Sequence, residues 1–275
     1  MILRIKVYLR NGEIDLDLYN KIKFDMEKFS GCTDFLYTIY GLDANEDYDA
    51  IILAPSWNPE KIFRNFNAKI ESVKIGPYYN SYTMQVDNKK YGYIQTGAGA
   101  SNLVDCCLTL GNTKCNKIIF IGAVGALKED IKLGDIITPS KSIAGDGASL
   151  YLHENISADK FQASVYPKVD LKENVMSIAN KIGIELKEKV VYCTDSIFCE
   201  YFHLNEILQF GSEAIEMETA AFYRCMEIIN KEGIAILCVS DNSATQNALI
   251  GRSEEDTEKF HKSREQLIPK LILNL

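Results

Sequence analysis

In Ala214-Ile215-Glu216-Met217-Glu218-Thr219-Ala220-Ala221, two carboxylates stand two residues apart around a methionine, just where an apolar helical pattern begins. If 214–218 is extended, alternation sends Glu216 and Glu218 to one face. Two acceptors on one face suit vicinal hydroxyls such as those of a ribose, and Met217 can lie against the flat side of a sugar. The same pair also has a plainer use, since carboxylates near a helix start compensate its dipole. A third carboxylate, Asp241, follows the apolar run 234–239. At the mouth of a buried strand, desolvation raises a carboxyl pKa, which suits a general acid; capping the next segment is an equal alternative.

Two small-residue turns could work with these carboxylates. Thr96-Gly97-Ala98-Gly99-Ala100-Ser101-Asn102 leads from a strand pattern into a helix pattern. Its backbone N–H groups could cradle an anion. The residues alone favour a tight turn with Ser101 as N-cap, and Asn102 breaks the dinucleotide spacing GxGxxG. In Gly122-Ala123-Val124-Gly125, the glycines permit close approach of a flat ligand or simply solve helix–strand packing.

The frame that must position them reads as α/β. Strands are expected at 50–54, 91–96, 117–121, 135–138, 190–193 and 234–239. Helices are expected at 101–110, 171–182, 216–229 and 254–273, the last interrupted at Pro269. The alternation predicts one domain, residues 49–275, with helices covering a mainly parallel or mixed sheet. Residues 1–48 read as an N-terminal extension packed on that core. Ligands of such folds gather at the carboxyl ends of strands, where both glycine turns and Asp241 fall.

Composition narrows the function classes. A net charge of −8 argues against general nucleic-acid or anionic-membrane binding. No apolar run approaches the roughly 20 residues that span a bilayer, and the N-terminus lacks the apolar stretch of a signal peptide. A cytoplasmic protein is expected. The eight cysteines show no CxxC spacing, and Cys106, Cys107, Cys225 and Cys238 lie in apolar segments, so free thiols are expected. His153, His203 and His261 are scattered, and no metal site is expected.

Together, GAVGALKEDIKLGDII (122–137), AIEMETAAFY (214–223) and VSDN (239–242) resemble the nucleoside phosphorylase family. That family includes hexameric purine nucleoside phosphorylases, uridine phosphorylases and methylthioadenosine nucleosidases. The resemblance runs from about Ile51 to the C-terminus. It implies a twisted mixed sheet flanked by helices, an N-glycosidic bond as target, no cofactor beyond phosphate as co-substrate, and a homo-oligomer (a dimer or a trimer of dimers) with shared active sites. It further implies that Glu218, Met217 and Glu216 hold the ribose and that Asp241 protonates purine N7 as the bond breaks. Phe198 is implied as the base-stacking residue ahead of Ile197, with Gly99 and Asn242 beside the base. Lys61, Gly97, Gly122 and Ala123 are implied for the phosphate or nucleophile pocket.

The departures are specific. In Ser56-Trp57-Asn58-Pro59-Glu60-Lys61, the stretch similar to the family's GDPxR loop, the glycine is lost and Lys61 replaces arginine. Residues 65–95 contain no arginine, and Phe120 and Ala123 replace the arginine and hydroxyl residue of a third phosphate segment. Lysine lacks the bidentate fork. Asp146-Gly147-Ala148-Ser149-Leu150 is similar to a uridine phosphorylase segment, but the Gln-x-Arg pair that holds a pyrimidine has no counterpart after Phe198. The resemblance therefore implies an enzyme acting on a purine nucleoside, with phosphorolysis as the family reaction and hydrolysis as the alternative that the missing arginines favour. A non-catalytic nucleoside-binding protein would have no need of the acid at Asp241.

Overall fold

The computed structural model describes residues 16–245 and 252–275. In chain order the elements are α1 (Leu16–Ser30), β1 (Ala50–Ala54), α2 (Pro59–Ile62), β2 (Lys69–Ile75), β3 (Asn80–Val86), β4 (Lys89–Gln95), α3 (Ala100–Thr109), β5 (Lys117–Ala126) and β6 (Ile136–Gly145). They continue with β7 (Ser164–Val165), α4 (Val169–Lys181), β8 (Leu186–Thr194), α5 (Ile197–Phe202), α6 (Leu204–Gln209), β9 (Ala214–Glu216), α7 (Thr219–Ile228), β10 (Glu232–Asn242), α8 (Glu254–Lys262) and α9 (Ile268–Leu273).

The strands form one mixed sheet in the order β10-β6-β8-β9-β5-β1-β4-β3-β2, with β7 on β6. Because β10 also pairs with β5, the first five strands close on themselves, and β1, β4, β3 and β2 continue as a flap from β5. The central pairs β1–β4, β1–β5 and β10–β5 are parallel. Parallel strands covered on both faces need apolar side chains on both, and the runs supply them. In β5, Ile118 and Phe120 enter one core while Ile119 and Ile121 enter the other. In β10, Ala235, Leu237 and Val239 alternate in the same way with Ile234, Ile236 and Cys238. The first core carries α3 and α7; the second carries α4, α8 and α9.

The expected α/β class, mixed sheet and flanking helices are all present, and every expected strand falls on a strand. The differences have local causes. The 135–138 run is only the start of β6, which continues past Pro139 to Gly145. Its register against β8 shifts between Pro139 and Lys141, as a residue without an N–H requires. The edge strand β2 is largely exposed and carries Lys69, Glu71 and Lys74, so it lacks an apolar run to read. Between α8 and α9 the helix widens into a π-turn, Ser263–Leu267, just ahead of Pro269. The proline ring excludes the carbonyl four residues back; that carbonyl, of Glu265, instead accepts from the Asn65 side chain.

From the segment ahead of β1, Leu18, Tyr19, Leu36, Tyr40, Leu42 and Tyr48 join the first core. Tyr19 lies so close over Gly111 that any Cβ there would collide with its ring. All eight cysteines are free thiols. Among the described residues no helix is long and apolar enough to cross a membrane, and no group of three or more His, Cys, Asp or Glu could hold a metal ion.

Candidate active site

The carboxyl ends of β5 and β10, the end of β9 and the start of α5 enclose a cavity of about 240 Å³. Glu216, Met217, Glu218, Asp241, Ile197, Gly122 and Ala123 line it, so seven residues selected from distant parts of the sequence meet in one place. A larger cavity, about 390 Å³, lies at the far end of α7 beside Arg224 and Glu227; none of the selected residues lines it.

At one end of the cavity the chain turns from β9 into α7. The extended segment stops at Glu216, and Glu218 leaves it as the residue capping α7, with φ −139° and ψ −28°. Glu216 accepts from Glu218 N at 2.7 Å, Thr219 N at 2.8 Å and Thr219 Oγ1 at 2.7 Å. Its side chain thus takes up donors that a helix start leaves without intrahelical partners. Glu218 accepts from Gly99 N at 2.6 Å. Gly99 has φ +97°, a conformation that suits glycine, and it holds the N-cap position of α3. Ser101, expected as that cap, lies inside α3. Gly99 therefore positions Glu218 and does not itself line the cavity.

At the other end, β10 carries a bulge. Val239 pairs with Val124, but Asp241 pairs with Gly125, leaving Ser240 as the extra residue. Such a bulge redirects the following side chain. The Asp241 carboxyl accepts from Ser240 Oγ at 2.6 Å, and its other oxygen lies 3.0 Å from where a Cβ on Gly125 would stand. Gly125 is thus the space into which Asp241 fits. Asn242, expected beside the base, is buried and does not line the cavity. Its amide donates to the Lys128 and Ile131 carbonyls at 2.8 and 2.7 Å, and its oxygen accepts from Ala244 N.

Helix α5 closes this end. Ile197, Glu200 and Tyr201, at helical spacing, share the face on the cavity. Phe198 and Phe202 share the other face and are 90% and 86% exposed. The helical period, which the sequence reading did not assign here, turns Phe198 away and brings in three residues, of which only Ile197 was expected. Glu200 and Tyr201 carried no motif; a helix assigned from the Ser196 cap, whose hydroxyl accepts from Cys199 N, would have placed them.

The expected anion residues divide. Gly122 and Ala123 line the cavity, whereas Lys61 is exposed on α2 and Gly97 lies behind the wall, its carbonyl accepting from Thr96 Oγ1. Among the described residues lining the cavity there are four carboxyl groups and no Lys, Arg or His. Burial dominates their protonation. It pushes Glu218 up to about 7. It also pushes up Glu216, helped by the Glu218 charge, but the three donors on Glu216 favour its ionised form. Asp241 is raised by burial against the opposing pull of Ser240 and Arg252. Glu200 is pushed up to about 7 by burial and by the Asp241 charge. The arrangement can hold hydroxyl groups at one end and supply a proton at the other.

The chain resembles known proteins in sequence and in fold. The sequence model of the phosphorylase superfamily matches residues 49–273. The DeoD-type purine nucleoside phosphorylase of Mycoplasma pneumoniae is 30% identical over 153 residues, 52% of this chain and 60% of that protein. The DeoD-type purine nucleoside phosphorylase of Buchnera aphidicola is 26% identical over 223 residues, 77% of this chain and 90% of that protein. In fold, the chain is similar to the 5′-methylthioadenosine/S-adenosylhomocysteine nucleosidase of Helicobacter pylori. The TM-score is 0.65 at 19% identity, covering 84% of this chain and all of that one.

Proposed function

Because the chain belongs to the phosphorylase superfamily, we propose that it cleaves the N-glycosidic bond of a purine nucleoside, with water as nucleophile. The observation that carries this reading is the cavity itself: four carboxyl groups with no cation among its described lining residues. Glu218, with Met217 beside it, accepts from the ribose hydroxyls, while Glu216 holds the turn that presents them. Asp241 protonates the base at N7. As the C1′–N9 bond breaks, its electron pair moves onto the base, where the proton neutralises it. The sugar gains positive character, which the nearby carboxylates stabilise. Water then bonds to C1′ and releases a proton to solvent, from which Asp241 is reprotonated, giving free ribose and the purine.

Phosphorolysis is the second reading, supported by the DeoD-type relatives. A phosphate dianion would meet strong repulsion from these carboxylates unless a cation came from outside the described wall. Arg252, whose charge is felt at Asp241, is one candidate among the described residues.

Incubating the protein with inosine or adenosine at rising phosphate, and separating free ribose from ribose 1-phosphate, distinguishes the two. Free ribose at a rate independent of phosphate is expected. Saturable ribose 1-phosphate formation at micromolar phosphate would overturn the hydrolytic reading, and absence of turnover on both nucleosides would overturn the purine-nucleoside reading.

A further inference from the structure

Two hydroxyls lie in the core behind Glu216, in positions that alanine and valine would fill as well. Ser142 on β6 and Thr219, the first residue of α7, are both 0% exposed. Their oxygens are 2.8 Å apart, and Thr219 Oγ1 is 2.7 Å from Glu216 Oε1. In the sheet β6 and β9 flank β8, with Ser142 opposite Val191 and Glu216 opposite Cys193. Ser142, Thr219 and Glu216 thus form a line of hydrogen bonds that crosses β8 from one neighbouring strand to the other, strands about 10 Å apart. A buried hydroxyl is costly unless it is hydrogen-bonded, so what this pair bonds to explains why it is there.

The line has a direction. Glu216 Oε2 accepts from Glu218 N and Thr219 N, and a backbone N–H can only donate. Oε1 faces the Thr219 hydroxyl, which can do either. With Glu216 ionised, Thr219 donates to Oε1 and Ser142 donates to Thr219 Oγ1, so every group is satisfied. With a proton on Oε1 both hydroxyls reverse, and the Ser142 proton needs an acceptor of its own. Among the described residues the structure gives Ser142 Oγ one partner, Thr219. The line therefore favours the carboxylate, against the burial and the Glu218 charge that favour the acid.

We propose that Ser142 and Thr219 are positioning residues for ribose binding: their hydroxyls hold Glu216 as a carboxylate, and Glu216 in turn fixes the turn from which Glu218 reaches the sugar. This rests on the glycosidic-cleavage reading of the site. An ionised Glu216 makes charge-assisted bonds to Glu218 N and Thr219 N, which are stronger than those to a neutral acid. The Glu218 backbone is thereby held from one side while Gly99 N holds its carboxyl from the other. The titratable groups facing Glu216 are Glu218, Cys193 on β8, Tyr223 on α7, and Glu200 and Asp241 in the cavity wall; Asp146, after β6, faces Glu218 and Cys193. All of these are acidic or neutral, so the charge of Glu216 depends on the backbone and hydroxyl donors.

Three variants test this. Thr219→Val keeps the shape of the side chain and removes the central hydroxyl, Thr219→Ser keeps the hydroxyl, and Ser142→Ala removes the far donor while leaving α7 untouched. The first measurement needs no turnover: titration of protein carrying ¹³C-labelled Glu carboxyls, with Glu216 identified as the signal that disappears in Glu216→Gln. Removing a donor to the ionised form raises the pKa. The Glu216 signal is expected to titrate about one unit higher in Thr219→Val and about half a unit higher in Ser142→Ala. In Thr219→Ser it is expected at the parent value. An unmoved signal in Ser142→Ala would overturn the proposal, even where Thr219→Val failed to fold. The second measurement is kinetic. In Thr219→Val the Michaelis constant for ribosides is expected to rise about three- to tenfold, with less than about twofold change for 2′,3′-dideoxynucleosides, and Thr219→Ser is expected to restore it. Equal losses on both substrate types, or no restoration by serine, would overturn the positioning role. A shifted Glu216 titration in a protein without nucleoside turnover would sink the proposed reaction and leave the hydroxyl line standing; turnover with an unmoved titration would do the reverse.

Discussion

The two ends of the cavity both carry a pair of buried carboxyl groups, and they differ in what donates to them. Glu216 and Glu218 sit where a helix begins and a glycine turn passes, and between them they accept four hydrogen bonds from Glu218 N, Thr219 N, Thr219 Oγ1 and Gly99 N. At the other end, Asp241 accepts from the Ser240 hydroxyl. Donors aimed at a carboxyl stabilise its charge, and their absence stabilises its proton. In the proposed reaction the first pair lies where sugar hydroxyls would bind and Asp241 where the base would take its proton. Burial is common to both and lifts Glu218 and Glu200 alike to about 7.

Three substitutions break this contrast at different points. The largest effect is expected for Asp241→Asn, which removes the group that hands over the proton. Turnover of a purine nucleoside should fall ~10²–10⁴-fold, with a circular dichroism spectrum like the parent's. A rate within about twofold of the parent would remove Asp241 from the chemistry.

Glu218→Gln comes next. It replaces a charged acceptor by an amide at the hydroxyl-binding end, where a charge-assisted hydrogen bond contributes about 1.5–3 kcal/mol. The Michaelis constant for ribosides should rise and kcat fall, both more than for 2′,3′-dideoxynucleosides. Equal losses on the two substrate types would show that Glu218 does not touch the sugar.

The smallest catalytic effect is expected for Glu216→Gln, because Glu216 already holds the backbone turn. The loss should appear first in stability, about 0.5–2 kcal/mol as for other lost helix caps, read from urea unfolding. A variant as stable as the parent and yet inactive would move Glu216 from the turn to the substrate.

Much of the frame was legible because burial on both faces of a parallel sheet demands apolar runs, and 117–121 and 234–239 are such runs. The carboxylate pair ahead of α7 was legible for a related reason. Glu216, Met217 and Glu218 are contiguous, so local chain geometry alone keeps them together. The assignments around Asp241 were harder, since they depend on which way one short helix faces. Phe198 was the more prominent side chain, but the helical turn of α5 gives the cavity to Ile197, Glu200 and Tyr201. Asn242 was read as a ligand group from its place beside Asp241, whereas its amide pins the end of β10 to the Lys128 and Ile131 carbonyls.

The sequence by itself determined the alternation of elements, the superfamily and the identity of three cavity carboxylates, because these depend on periodicity and on short runs of chain. Only the tertiary structure decided where each carboxylate lies and what donates to it. The bulge at Ser240 and the space over Gly125 aim Asp241, Gly99 from a distant turn supplies the donor for Glu218, and α5 brings Glu200 into the wall. Protonation depends on which donors and charges fold into reach, and the one that reaches Glu218, Gly99 N, comes from 119 residues away.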